Sequence, residues 1–267
     1  MSDGALRGLY ELKNAEMVLV GLGEDLQYDW NALTEDERYR EIEKEIGNDE
    51  ERVWIIPFLQ KMVLRQFRDD RWRRAYQNLN NLLAEKNYFI ISLCMDDYIY
   101  EAGFPGNRIV TPCGGFRKMQ CDRNCSHVLV DIPQESYEAV LQYYRGEISI
   151  DALREPICDR CGSKLRFNQL GVTQYAEEGY LERWADYTKW LQGTVNKKLC
   201  VLELGVGMEY PTVIRFPFEK ITYYNQKAFL YRIHFSLSQI GEEIADRGMS
   251  VKENPIDFLN RFNGEDT

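Results

Sequence analysis

The sequence predicts an α/β fold: a parallel sheet covered by helices on both faces, with a small cysteine-rich module inserted. Three observations predict it. Four apolar runs recur along the chain, separated by segments of helical length. Two of the runs end in Gly-x-Gly, which is how a buried parallel strand enters a tight turn. Between the second and third runs lie two closely spaced cysteine pairs, in a stretch rich in Gly, Pro, Asn and Thr. The 267 residues suffice for one large domain or two modest ones, with a core that needs no disulfide staples.

The elements follow in order. After a short amphipathic segment, Met17-Val-Leu-Val20 is the first strand and ends at Gly21-Leu22-Gly23. Thr34-Glu-Asp-Glu37 has capping-box spacing, and the charged run to Ile46 stops at Gly47, which predicts a helix. Pro57 opens a stretch to Lys86 in which Phe58, Met62, Phe67, Trp72, Leu79 and Leu83 recur at helical intervals. That stretch is one long helix or two stacked ones. Tyr88-Phe-Ile-Ile-Ser-Leu93 is the second strand. Helices are expected over 134–145, briefly over 150–153, and over 174–191. Leu199-Cys-Val-Leu-Glu-Leu204 is the third strand, ending in Gly205-Val206-Gly207, and Ala228-Phe-Leu-Tyr-Arg-Ile233 is the fourth. All four are expected side by side in one sheet.

Composition excludes several classes. Hydrophobic residues at 44% and charged residues at 28% describe a folded globule rather than a disordered tail. No apolar run approaches the ~20 residues of a membrane span, and Met1-Ser-Asp-Gly-Ala5 lacks a basic-then-apolar signal. A cytoplasmic protein with no membrane partner is therefore expected. Thirty-three basic against forty-three acidic residues leave a net charge of −10, which repels a phosphate backbone, so no nucleic acid is expected. Arg65, Arg68, Arg71, Arg73 and Arg74 cluster, but Asp69 and Asp70 interrupt them, and the group reads as a solvated helix face. Oligomeric state has no signature in the chain.

Seven cysteines, an odd number without a secretion signal, favour metal binding and free thiols over disulfides. Cys121-x3-Cys125 and Cys158-x2-Cys161 are the strongest chemical signal. Each pair offers two thiolates to one tetrahedral ion, and zinc suits four sulfurs. Turn residues agree: Asp122-Arg-Asn124 and Asp159-Arg160 lie inside the pairs, and Gly162 follows. His127 offers a further ligand, but four cysteines already close the shell, and a closed shell is structural. The segment between the pairs has room for the 134–145 helix as an insertion. On this reading residues 1–110 and 171–267 form the large domain and 111–170 the zinc-binding module.

Gly21-x-Gly23 is half of a dinucleotide fingerprint, with Leu26 where the third glycine belongs. Glu24 and Asp25 follow at once, and acids there oppose a pyrophosphate. A turn packed against the sheet for structural reasons explains the glycines equally well.

The order of parts, from about Met17 to Phe262, resembles the sirtuin family, NAD-dependent protein deacylases with a Rossmann-like domain and a small zinc domain. Ser92 through Gly103 matches the family's Thr-Gln-Asn-Ile-Asp…Ala-Gly segment without a gap. Cys161-Gly-Ser-Lys-Leu-Arg166 matches its Cys-Gly-x-x-Leu-Arg segment, and Gly205-Val206-Gly207 with Pro211 resembles its Gly-Thr-Ser…Pro turn. The resemblance implies an NAD or ADP-ribose pocket lined by Gly21, Leu22, Gly23, Asp25, Cys94, Met95, Asp96, Gly205, Val206, Gly207 and His234. It also implies structural zinc and a protein or acylated-peptide partner.

The departures lie at the chemistry. Asp25 stands at the family's serine, and Cys94 at the Asn that orders the ribose and a water. Cys113, in Val110-Thr-Pro-Cys-Gly114, stands at the general-base His. Asp96 is kept, and His234 falls where the family often has an Asn facing adenosine. Histidine takes a ribose proton because its pKa is ~6.5, whereas cysteine at ~8.5 is mostly protonated, and losing a general base costs ~10²–10⁴-fold. Three readings follow. The first is a non-catalytic or weakly active nucleotide-binding module. The second is an enzyme, a deacylase or ADP-ribosyltransferase, with altered chemistry at Cys94 and Cys113. The third is a zinc-stabilised scaffold whose pocket is filled by Met95, Tyr98 and Met208.

Overall fold

The computed structural model describes residues 3–27, 30–47, 49–66 and 70–261. Phe67, Arg68, Asp69 and Phe262, all named above, lie outside them. The strands are β1 (Met17–Leu22), β2 (Asn87–Ser92), β3 (Ile109–Val110), β4 (Gly114–Cys121), β5 (Val130–Asp131), β6 (Leu165–Gln169), β7 (Leu199–Leu204), β8 (Ala228–Ile233) and β9 (Gly248–Val251).

Six of these form one parallel sheet in the order β3-β2-β1-β7-β8-β9. The four expected strands are its consecutive centre. Every residue of β1, β7 and β8 is buried, because both faces are covered. Side chains alternate between two cores. Val18, Val20 and Leu22 join the helices Ile55–Gln66 and Asp70–Leu83 through Phe58, Leu59, Tyr76 and Leu79. Met17, Leu19 and Val201 join the helices Glu178–Gln192 and Arg215–Tyr224 through Tyr187 and Phe218. Gly21 permits this second layer, since a Cβ there would meet Ile214 at 2.6 Å and Phe218 at 2.8 Å.

Two apolar-looking strands carry a charge each. Glu203 and Arg232 are register partners on β7 and β8, fully buried, with Nε to Oε2 at 2.6 Å and a second guanidinium contact at 3.1 Å. Glu219 adds a third carboxylate contact at 2.9 Å.

The residues between β3 and β7 hold a second, antiparallel sheet in the order β5-β4-β6, and the helix Gln134–Tyr144. Phe167 of β6 packs on Phe58 and Phe116, at ring separations of 4.9 and 5.4 Å. Helix Glu37–Ile46 reaches the same unit, with Tyr144 donating to Asp36 at 2.5 Å and Tyr143 to Glu45 at 3.0 Å. Its cap is Asp36, accepting from the Tyr39 amide at 2.6 Å, rather than Thr34. The 57–86 stretch resolves into two helices, and 150–153 into a short 3-10 turn.

Within the arginine cluster, Arg65 pairs with Glu101, Arg71 with Asp257 and Arg73 with Asp70. No helix of the described residues is long and apolar enough to cross a membrane.

Candidate nucleotide site and cysteine cluster

A parallel sheet has its natural binding crevice at the carboxyl ends of its strands, where the strand order reverses. Here the order reverses between β1 and β7, so the two Gly-x-Gly turns meet there. The Gly23 amide donates to the Leu204 carbonyl at 2.9 Å and the Asp25 amide to Gly205 at 3.2 Å. Gly23 lies so close to the second turn that a Cβ would stand 2.2 Å from the Gly205 oxygen. The second turn starts in the left-handed region, with Gly205 at φ +63°.

The acids that follow the first turn fold into the crevice. Glu24 accepts from the Gly207 amide through Oε2 at 2.9 Å, while its Oε1 is enclosed without a hydrogen-bond partner. Asp25 packs against Gly205 and places Oδ2 3.5 Å from His234 Nε2. His234 accepts from the amides of Ser236 and Leu237 through Nδ1, at 3.1 and 3.2 Å, which assigns its proton to Nε2. Burial holds its pKa below the ordinary histidine value, so it is neutral near pH 7. Arg215 lies behind the turn and donates to the carbonyls of Val206 and Leu237, at 2.9 and 2.7 Å.

Cys94 and Cys113 are both buried. The Cys94 thiol donates to the Gly23 carbonyl at 3.3 Å, which ties the β2 end to the first turn. Burial, then the Asp96 carboxylate, pushes its pKa well up. Burial, then Glu24 and Glu209, pushes Cys113 up to about 12. Both are neutral thiols at physiological pH. Asp96 spends one oxygen on the Tyr98 amide at 3.0 Å, and the Met95 amide donates to Gln27 at 3.0 Å. Tyr98 packs on Tyr76 in the core, with ring centres 5.1 Å apart, while Met208 is half exposed. Of the side chains near the two turns, Glu24 is the one hydrogen-bonded to the second turn's Gly207 amide.

A neighbouring pair escaped the sequence reading. Asp97 is buried in the left-handed region at φ +59°, with Oδ2 unpartnered. Burial pushes its carboxyl up to about 7, against the opposing pull of Lys61. Lys61 is also buried, donates to the Phe116 carbonyl at 2.7 Å, and is pushed down to about 8 by burial. Gly115 makes room, since a Cβ there would lie 2.6 Å from Asp97 Oδ2. The sequence signals, a double Asp and a double Gly, are too common to single out.

Cys121, Cys125, Cys158 and Cys161 converge at one end of β4, all sulfurs lying within 4.8 Å of one another. Cys121 and Cys161 are 3.5 Å apart, and Cys125 and Cys158 3.7 Å. Asn124 and Gly162 turn the chain in the left-handed region, at φ +44° and +69°. This cluster could hold a metal ion. His127 stays outside it, 2.8 Å from Glu178.

A reversed parallel sheet with paired glycine turns and an inserted four-cysteine cluster defines a Rossmann-like α/β protein. No family model matches the chain. Its backbone matches Sir2Tm bound to a propionylated peptide, with a TM-score of 0.55 and 12% identity, covering 100% of this chain and 99% of that one. A Sir2 homologue mutant in complex with ADP-ribose gives 0.58 at 12% identity, over 98% and 94%. A Sir2 structure with a p53 peptide and NAD+ gives 0.56 at 15%, over 97% of each. The chain has the sirtuin fold. Among curated proteins, a "Protein ADP-ribosyltransferase" of Staphylococcus aureus is 21% identical over 202 residues, 74% of this chain and 62% of the relative. A "Probable bifunctional ADP-ribose hydrolase/ADP-ribosyltransferase" of Fusarium oxysporum f. sp. cubense is 28% identical over 138 residues, 50% of this chain and 23% of the relative. The chain thus spans less than two thirds of either relative.

Proposed function

We propose that this chain is a sirtuin-fold module that binds an NAD- or ADP-ribose-type nucleotide where β1 meets β7, and that it has little or no deacylase activity. The observation that carries this is the pair of glycine turns at the strand-order reversal, with two protonated, buried thiols beside it. Cys94 and Cys113 stand at the positions matching the family's Asn and His. A thiol pushed up to about 12 cannot take a ribose proton near neutral pH. His234, Met95 and Asp96 are the residues we assign to the nucleoside by their match to the sirtuin pattern. The phosphate side of the crevice, as folded, does not fit a diphosphate, because the Gly207 amide already holds Glu24.

The four cysteines fit zinc. Their separations of 3.5 and 3.7 Å agree with the ~3.8 Å between sulfurs of a tetrahedral site with Zn–S near ~2.3 Å. Bound there, the ion would be structural. Solved neighbours hold a propionylated peptide and a p53 peptide, and a protein segment is the partner we assign to this chain as well.

A second reading, ADP-ribosyl transfer, is favoured by the names of both curated relatives. Transfer to an acceptor needs departure of nicotinamide but not the ribose-hydroxyl base, so loss of the His weighs less against it.

Thermal shift with millimolar NAD and ADP-ribose, and nicotinamide release on an acylated peptide, test the proposal. Expected are a rise in Tm with at least one nucleotide and release at least ~10²-fold below an active sirtuin. Absence of any shift would favour the scaffold. Robust release with deacylation would overturn the argument from the missing base, and release with a labelled acceptor would establish the transferase.

A further inference from the structure

We propose that Glu24 is a tethered competitor for phosphate. Its carboxylate occupies the backbone anion cradle of the Gly205–Val206–Gly207 turn, so a diphosphate-bearing nucleotide binds only after Glu24 is expelled, and the resting crevice favours an uncharged nucleoside. This rests on the nucleotide-binding reading and deepens it.

A backbone amide at the end of a parallel strand, at the switch point, is where a nucleotide phosphate is received. In this chain the Gly207 amide donates instead to Glu24 Oε2, at 2.9 Å. Gly207 leaves room for that oxygen, since a Cβ would stand only 3.2 Å from it. An anion is therefore already bound in the cradle, and it is covalently attached through the first turn.

Glu24 is also poorly anchored. Its second oxygen is enclosed yet accepts nothing, a state that costs free energy and that departure of the carboxylate relieves. Among the described residues no cation pairs with it. Arg215 is turned to the Val206 and Leu237 carbonyls, and His234 is neutral and faces Asp25. A phosphate arriving with Glu24 in place would meet like charge from Glu24 and Asp25, while the nearest guanidinium, Arg215, is engaged by the Val206 and Leu237 carbonyls. Expulsion of Glu24, rather than accommodation beside it, is the state that admits a diphosphate.

The test is calorimetric titration of the full chain with ADP-ribose, which carries two phosphates, and with adenosine, which carries none. Wild type, Glu24→Ala and Glu24→Gln are compared. Removal of a charge-assisted contact should tighten ADP-ribose by about ten- to one-hundred-fold in Glu24→Ala, with adenosine unchanged within about threefold. Glu24→Gln, which keeps shape and an acceptor but loses the charge, should lie between, and it carries the test should the alanine variant fail to fold. ADP-ribose binding equally to all three proteins, or adenosine tightening as much as ADP-ribose, would overturn the role of Glu24 and leave the nucleotide reading standing. Failure of every protein to bind either compound would overturn both.

Discussion

Asp97 is one residue past the Asp that matches the sirtuin pattern, and burial raises its carboxyl pKa into the neutral range. Unfolded, its carboxyl ionises near 3.8; folded, near 7, because it is buried. Between those values the native state keeps a proton that the unfolded chain has lost, so stability falls as pH rises through the window. Lys61 acts above it. Its folded value of about 8 lies below 10.5, so the unfolded chain holds the extra proton and stability climbs from pH 8 to 10.5. Asp97→Asn removes the lower slope while tolerating the left-handed backbone. Melting curves from pH 4.5 to 7.5 should show wild type losing Tm relative to the variant. Parallel profiles would show that Asp97 keeps an ordinary pKa.

At the scale of the element, the segment joining the cysteine pairs depends on their convergence. Beyond the end of β4 its backbone is held by few ladder bonds: β5 is two residues long, and Ile157 and Lys164 make an isolated bridge. If zinc joins the four sulfurs, its binding free energy is folding free energy for this segment. Cys158→Ser should reduce bound zinc from about one equivalent to a small fraction. It should also open residues 122–164 to proteolysis while the parallel sheet stays resistant. Full zinc occupancy in the variant, measured by atomic absorption, would refute the four-thiolate site. The cysteine spacing was legible because such pairs are local in sequence. The β4–β6 pairing around them was not, because β6 is short and its partner lies more than forty positions away.

Across the whole molecule, strands β7 and β8 of the parallel sheet are joined by a buried charge pair. Arg232→Met would leave Glu203 in a site with no exposure, where burial already raises its pKa. Breaking one side of such a pair costs about 3–5 kcal/mol, while replacing both sides with apolar groups is close to neutral. Urea denaturation should therefore show Arg232→Met strongly destabilised and Glu203→Leu with Arg232→Met near wild type. A single variant within ~0.5 kcal/mol of wild type would sink this account.

The sequence by itself determined the α/β class, the four central strands and the grouping of the four paired cysteines. Each is written in short-range patterns: continuous apolar runs, helical periodicity and paired thiols. The edge strands β3 and β9 were invisible to it, since two and four residues carry no period. Only the tertiary structure decided where the charges went. Glu24 looked like an obstacle beside a glycine turn. The reversal of strand order brings Gly207, 183 positions away, to its carboxylate. Glu203 and Arg232 sit inside runs that look apolar in sequence, and the β7–β8 register makes them partners. Burial and long-range pairing set the state of a titratable group, and neither is a property of its neighbours in the chain.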